Sequence, residues 1–356
     1  MSRFLSEIYK NMVPYVPGEQ PKDRKYIKLN ANETSMLPSP KVYEVLRSTR
    51  MNNLGKYADP DAKELRSAIA KRYDVNMENV FVGNGSDEVL GFIFLAFFDR
   101  TSKICFPDIT YGFYDVFSKS FGIDGEAFKL KEDFTVDVDQ YVKTERDIVL
   151  PNPNAPTGYA LSVDEIERMV KANKDRLVVI DEAYVDYGTE SCIPLTKKYD
   201  NLIVVHTMSK SRNLAGAHIG YCIASEKLIE DLNGLKFAFN PFNMSDISLA
   251  IGTAAVEDTA YHEKSVRTII ENREYTKAEF RRLGFEVLDS KTNFIFVTHP
   301  QITAEDYNKK LREFGILARH YKQERIENYL RITIGTREEM QAVIQATKEI
   351  LMRAAA

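Results

Sequence analysis

Lys210 stands in TMSKSRNLAG, directly after an apolar run and between two serines. The plain reading is a solvated loop lysine, since lysine is seldom buried without a partner. A lysine enclosed between Ser209 and Ser211 would behave differently: it loses its proton more readily than a solvated amine, and the neutral amine can attack a carbonyl carbon. Asp181 closes the apolar run in LVVIDEAYVDY, and a carboxylate at a buried strand end calls for a cationic partner because unpaired burial is costly. Tyr184 lies three residues further and can share that pocket. In VFVGNGSDEVLGF, Gly83, Gly85 and Ser86 join a strand-like run to an apolar helix, a pattern that cradles an anion on glycine backbone and free helix N–H groups. The same residues also fit a simple cap, with Ser86 at the N-terminus and Asp87 and Glu88 complementing the dipole. Tyr111, in PDITYGFY, either lays its ring over a flat ligand or packs into the core. LPNPNAPTGYALS holds two X-Pro steps, which stiffen a loop carrying the amides of Asn152 and Asn154.

These residues must be positioned by a scaffold. The apolar runs KICF (103–106), DIVL (147–150), RLVVI (176–180), NLIVV (201–205) and HIGYCIA (218–224) are apolar on both alternating faces and are separated by helical patterns. That texture predicts buried, mostly parallel strands with crossover helices, an α/β sheet covered on both sides. Ligands of such sheets collect outside the carboxyl ends of the strands, where each of the loops above begins. From residue 246 the texture changes to one long helical segment ending in Leu-Gly-Phe, then FEVLDSKTNFIFVTH, a helix over about 303–314, GILARHY, YLRITIGT and a final helix from Arg337, the order of a smaller α+β lobe. We expect an N-terminal arm over 1–28, a large cofactor-binding domain over 29–245 whose first part can contribute to the small domain, and a small C-terminal domain over 246–356.

The totals agree with two lobes. With 356 residues, 44% of them hydrophobic, the chain exceeds one comfortable core. A formal charge of -4 gives no basic footprint for nucleic acid. The run VLGFIFLAFF is about half the ~20 residues a membrane-spanning helix needs. Three widely spaced cysteines and a polar, proline-punctuated start predict a reduced, cytoplasmic protein with no metal site among the thiols.

One small molecule matches the loops together. A phosphate suits the glycine-serine helix start, a pyridinium nitrogen suits Asp181, a phenolate oxygen suits Tyr184 and an Asn, an aromatic ring suits Tyr111, and an aldehyde suits Lys210. Pyridoxal 5′-phosphate carries all five groups.

NPNAPTG, DEAY, SKSRNLAG and RITIGT, in this order, resemble the fold-type-I pyridoxal-phosphate aminotransferases, and the likeness extends through PYVPGE, LNANE, GNGSDE and TYGFY over nearly the whole chain. It implies a large domain with a mostly parallel seven-stranded sheet, helices on both faces, a smaller α+β domain and a homodimer. It further implies Lys210 as the Schiff-base lysine, Asp181 as partner of the ring nitrogen, Tyr184 as donor to the ring hydroxyl and Tyr111 as the stacking ring, with Ser86, Asp87 and Ser209 around the phosphate. Tyr57 matches a tyrosine that reaches the neighbouring subunit's phosphate. Arg331 would clamp a substrate carboxylate, while Tyr15, Asn32 and Arg319 match substrate-contacting positions. The branch most similar in these motifs transaminates histidinol phosphate with 2-oxoglutarate, so the expected partners are a small-molecule amino donor and a 2-oxo acid, with no nucleic acid and no membrane.

Two positions depart from the family pattern. His218 stands where most relatives place an arginine on the cofactor phosphate, leaving either His218 itself or Arg212 to serve there. Ala155 stands where many relatives have Asn, so the ring-hydroxyl amide must come from Asn154, from Asn152, or be absent; Asn154 is the expected donor. Rival functions on the same scaffold are an aromatic amino acid aminotransferase and a phospho-amino-acid decarboxylase. A cofactor-sensing regulator would need a DNA-binding module for which the chain has no spare residues.

Overall fold

The computed structural model describes residues 2–9, 18–48 and 54–355. A short strand β1 (Ile27–Lys28) precedes the main sheet, which contains β2 (Val80–Asn84), β3 (Lys103–Pro107), β4 (Asp124–Phe128), β5 (Asp147–Pro151), β6 (Val178–Asp181), β7 (Leu202–Thr207) and β8 (Ile219–Ile223) in the spatial order β2-β8-β7-β6-β5-β3-β4. Only β8 runs antiparallel to its neighbours. The seven-stranded, mostly parallel sheet is the expected one.

Its strands are apolar on both sides because both sides are covered. Val178 and Ile180, with Leu202 and Val204, enter one core, while Val179, Ile203 and Val205 enter another across the sheet. This is the period of two expected of a strand, filled with apolar residues at both phases. One strand escapes that signature: β4, DGEAF, is exposed at its first four residues because it forms the sheet edge and pairs only with β3.

The second lobe holds the antiparallel sheet β12-β13-β10-β9, formed by β9 (Glu286–Val287), β10 (Phe294–Thr298), β12 (Arg319–His320) and β13 (Leu330–Thr333), with β11 (Ile316–Leu317) paired to β1. Its core contains Phe280, Ile295, Leu311, Ile332 and Val343, and also Leu29 from the chain's first part.

The single long helix expected from residue 246 is two helices, Asp246–Glu257 and Thr259–Arg282. Asp258 separates them: its side chain accepts the Tyr261 N–H as the second helix's N-cap and also a hydrogen bond from Ser39. The first helix ends on buried Arg212, whose guanidinium donates to the carbonyls of Ala255 (2.6 Å) and Val256 (3.4 Å), groups that a helix C-terminus leaves unpaired. That helix sends Leu249, Ile251 and Val256 into the large lobe's core. On this packing we infer that the small lobe begins near Asp258 rather than at 246.

Candidate active site

Every chain direction in the main sheet delivers a loop to the same edge. At the end of β2 the helix Gly85–Phe97 starts, β6 ends on Asp181, β7 leads into Ser209 and Lys210, and β8, running the other way, begins beside His218. They enclose a cavity of about 220 Å³ lined by Gly85, Ser86, Asp87, Tyr111, Asp181, Tyr184, Thr207, Ser209, Lys210 and His218. A second cavity of about 350 Å³ shares Tyr111, Tyr184 and Lys210 with it and extends between the lobes to Asn32, Arg319, Tyr321, Gln323 and Arg331.

Burial sets the chemistry at the first end. The Lys210 amine is pushed down to about 8 by loss of hydration, with the Arg331 guanidinium acting in the same direction. Burial raises the Asp181 carboxyl to about 6, against the opposing effect of a hydrogen bond from the Tyr114 hydroxyl (2.7 Å) and of the Ala183 N–H (3.1 Å). An isolated carboxylate held here at neutral pH is an incomplete ion pair, which a protonated ring nitrogen would complete. Tyr184 accepts from the Asn32 amide at 2.8 Å, leaving its own O–H to donate, and the Lys210 Nζ stands 6.0 Å from its ring centroid.

The phosphate end of such a ligand has a matching recess. Gly85 has φ +74°, open to glycine, and a Cβ there would come within 2.9 Å of the His218 imidazole. A Cβ on Gly220 would come within 2.3 Å of the Ser86 nitrogen, so β8 and the helix start are pressed together backbone to backbone. The recess therefore presents helix N–H groups, the hydroxyls of Ser86 and Ser209, and His218 to one small volume, a donor set suited to a phosphate; Thr207 also lines it, with its hydroxyl donating to the Ile219 carbonyl (3.4 Å) and accepting the Ser209 N–H (3.1 Å). Ser86 sits in the first helical turn, and Asn84 occupies the N-cap, so the capping role for Ser86 does not hold. Tyr111 lines the cavity and donates to Asp87 at 2.8 Å.

Several expectations are corrected. Asn154, expected at the ring oxygen, lies off the cavity lining with both amide hydrogens used, on the Ile109 carbonyl (2.9 Å) and the Thr157 hydroxyl (3.0 Å), and its oxygen accepting from Thr110. Asn152 is likewise closed on the Leu161 backbone. Ala155 and Tyr184 line the cavity, and neither loop asparagine does. Arg212 points away from the cavity to the helix end described above, which leaves His218 as the residue at the recess. Tyr57 is exposed, stacked on Phe242 at 4.5 Å, and outside its own chain's cavity. Tyr15 lies outside the described residues. Sequence reasoning missed Thr207, the last residue of β7 in HTMSK, and Tyr114, in the first turn of the helix Phe113–Phe121 that follows Tyr111.

At the second end, Arg331 donates to the Asn30 carbonyl at 3.0 Å, but its buried Nε has no partner. A carboxylate or phosphate oxygen would supply one, because guanidinium reads such groups at two points.

With this geometry the chain is placed by likeness as well. The class I and II aminotransferase family matches residues 24–346, and the chain belongs to that family. Within it, the chain is 47% identical to the histidinol-phosphate aminotransferase of Brachyspira hyodysenteriae, over 99% of either chain. It is 43% identical to that of Clostridium beijerinckii, over 99% of this chain and 98% of the other. A crystal structure of histidinol-phosphate aminotransferase from Sinorhizobium meliloti, in complex with pyridoxal-5′-phosphate, superposes with a TM-score of 0.89 at 23% identity, covering 100% of this chain and 99% of that one.

Proposed function

We propose that this chain is a pyridoxal-phosphate-dependent aminotransferase that moves the amino group of histidinol phosphate to 2-oxoglutarate. The observation that carries the chemistry is the pairing of Lys210 and Asp181 in one buried cavity, the amine eased toward its neutral form and the carboxyl left without a cationic partner. The choice of substrate is supported by full-length likeness to enzymes so named and by two arginines at the far end of the cavity.

When bound, pyridoxal phosphate supplies an aldehyde that takes up the amino group and a ring that withdraws electrons. Asp181 holds the proton on the ring nitrogen, and the Tyr114 hydroxyl orients that carboxylate. Tyr184 would donate to the ring oxygen, and Ser86, Ser209 and His218 would hold the phosphate. Lys210, whose buried amine is shifted down to about 8, would take a proton from the substrate carbon that bears nitrogen and return it. Arg331 receives the glutamate carboxylate in one half-reaction and the donor's phosphate, with Arg319, in the other.

The working unit is a homodimer in the cytoplasm. Tyr57, Leu54 and Phe239 expose large apolar surface, and Tyr57 is free to enter a neighbour's recess. An active monomer on size-exclusion chromatography would overturn the dimer.

The test of function is spectroscopic. The purified holoenzyme is mixed in turn with histidinol phosphate, glutamate and phenylalanine, and loss of the cofactor's visible absorbance is followed. Bleaching by histidinol phosphate and glutamate is expected. A preference for phenylalanine indicates an aromatic aminotransferase, and release of carbon dioxide from a phospho-amino acid indicates a decarboxylase.

A further inference from the structure

The segment joining β12 to β13 leaves the small lobe and crosses to the large one. Ile326, 1% exposed, is buried in the large lobe's core, and Tyr329 stacks on Phe296 (4.9 Å) while meeting the edge of Phe134 (5.4 Å). Directly before Ile326, Arg325 adopts φ +70° and turns its guanidinium onto the large lobe. It pairs with the Asp108 carboxylate (3.2 Å), donates to the carbonyls of Leu130 (3.0 Å) and Lys131 (2.8 Å), and lies 5.6 Å from the Phe134 ring centroid. Gln323 adds a bond to the Asp108 carbonyl at 3.0 Å.

Asp108 is the other half of this clasp. Its second carboxylate oxygen accepts the N–H groups of Ile109 and Leu130, both at 2.9 Å, and so shapes the loop that carries Tyr111. One contact therefore governs both walls of the cavity's far end: Tyr111 on the large lobe, and Tyr321 with Gln323 on the crossing segment. Arg331 is held mainly within the small lobe, by the Asn30 carbonyl and by its place in the small sheet, and touches the crossing segment only through the Tyr321 ring, 5.7 Å from its guanidinium.

We propose that Arg325 is a positioning residue for substrate selection, holding the 321–329 segment against Asp108 so that Arg319 and Tyr321 are set for the phosphate of the amino donor. The proposal rests on the function proposed above. Its physical basis is that a guanidinium shared among a carboxylate, two carbonyls and a ring fixes orientation as well as distance, and that misplacement of about 1 Å at a binding wall is costly. Glutamate's α-carboxylate needs only Arg331, so it depends less on the clasp.

The test uses holoenzyme of the wild type, Arg325→Gln and Arg325→Lys, with KM and kcat measured separately for histidinol phosphate and for glutamate, beside melting temperature and cofactor absorbance. Arg325→Gln is expected to raise KM for histidinol phosphate roughly tenfold and KM for glutamate about threefold or less, with kcat nearly kept. Arg325→Lys, which keeps one point charge for Asp108, should recover part of the difference. Equal changes in both KM values, or a fall in kcat alone alongside a lower melting temperature, would overturn the proposal by showing a purely structural clasp. If Arg325→Gln does not fold, the KM ratio of Arg325→Lys decides: an unchanged ratio overturns it. A wild type that turns over no histidinol phosphate overturns the function and this inference together, whereas an active wild type with an unaltered variant ratio overturns this inference alone.

Discussion

The two ends of the cavity are built differently. At the cofactor end, Ser86, Asp181, Thr207, Lys210 and His218 all leave one edge of one sheet, whose strands are locked by ladder hydrogen bonds and by apolar cores on both faces. At the substrate end, Arg319, Arg331 and Tyr321 come from the small lobe and face Tyr111 of the large one, with the Arg325–Asp108 contact across the gap. The first end is preorganised for a single chemistry, as electrostatic catalysis requires. The second is assembled from two bodies, an arrangement that under the proposed function would have one arginine serve a phosphate in one half-reaction and a carboxylate in the other.

The comparison breaks most sharply at Lys210. Lys210→Arg keeps charge and reach but provides no amine that deprotonates near neutral pH, so transamination should fall by about 10³–10⁴-fold for every donor alike; a donor-dependent loss, seen in steady-state rates, would mean that the cofactor end also selects substrate. Labelling of the wild-type apoenzyme at Lys210 by pyridoxal phosphate and borohydride should rise with pH through about 8, since only the neutral amine reacts.

Arg331→Lys tests the other end. Losing two-point recognition should cost about 1.5–3 kcal/mol in kcat/KM for glutamate while leaving cofactor absorbance intact. A change in the spectrum would join the two ends that the geometry separates.

Asp181 gives a smaller effect, read in stability. Burial raises its folded carboxyl to about 6, above the 3.8 of a solvated aspartate, so the folded cofactor-free protein binds the proton more tightly than the unfolded chain and loses stability as pH rises between those values. The cofactor-free Asp181→Asn variant should therefore melt higher than wild-type apoenzyme above about pH 6, by roughly 1–3 kcal/mol, with the gap closing below pH 3.8. Thermal melts across that range check the sign, and a gap that persists in acid would show that desolvation is not its cause. The smallest change belongs to His218→Arg: a stronger cation at the recess should tighten cofactor retention by about 1 kcal/mol, followed by absorbance on dialysis, and an unchanged or weaker hold would show that the imidazole already fills the role.

Much of the cofactor end was legible because its residues are tied to local pattern. Apolar runs give the strands, the residue after each run gives the loop, and loops at strand carboxyl ends hold the ligand. β4 was missed because an edge strand need not be apolar, and the break at Asp258 because a single capping aspartate is hidden within an otherwise continuous helical pattern. The place of Asn154 was hidden for another reason: NPNAPTG shows that amides are present but not where their hydrogens go, and these go to the distant Ile109 carbonyl and to Thr157 in the same loop.

By itself the sequence determined the α/β scaffold, the family and the lysine–aspartate pair, because strand burial and loop position follow from residue order. Only the tertiary structure decided that Arg212 serves a helix end while His218 serves the recess, that Arg331 keeps an unpartnered Nε, and that Arg325 bridges the lobes. Those outcomes depend on where a long side chain finds its partners, and partners brought together from 43 positions away for Arg212 and 217 for Arg325 leave no trace in local spacing.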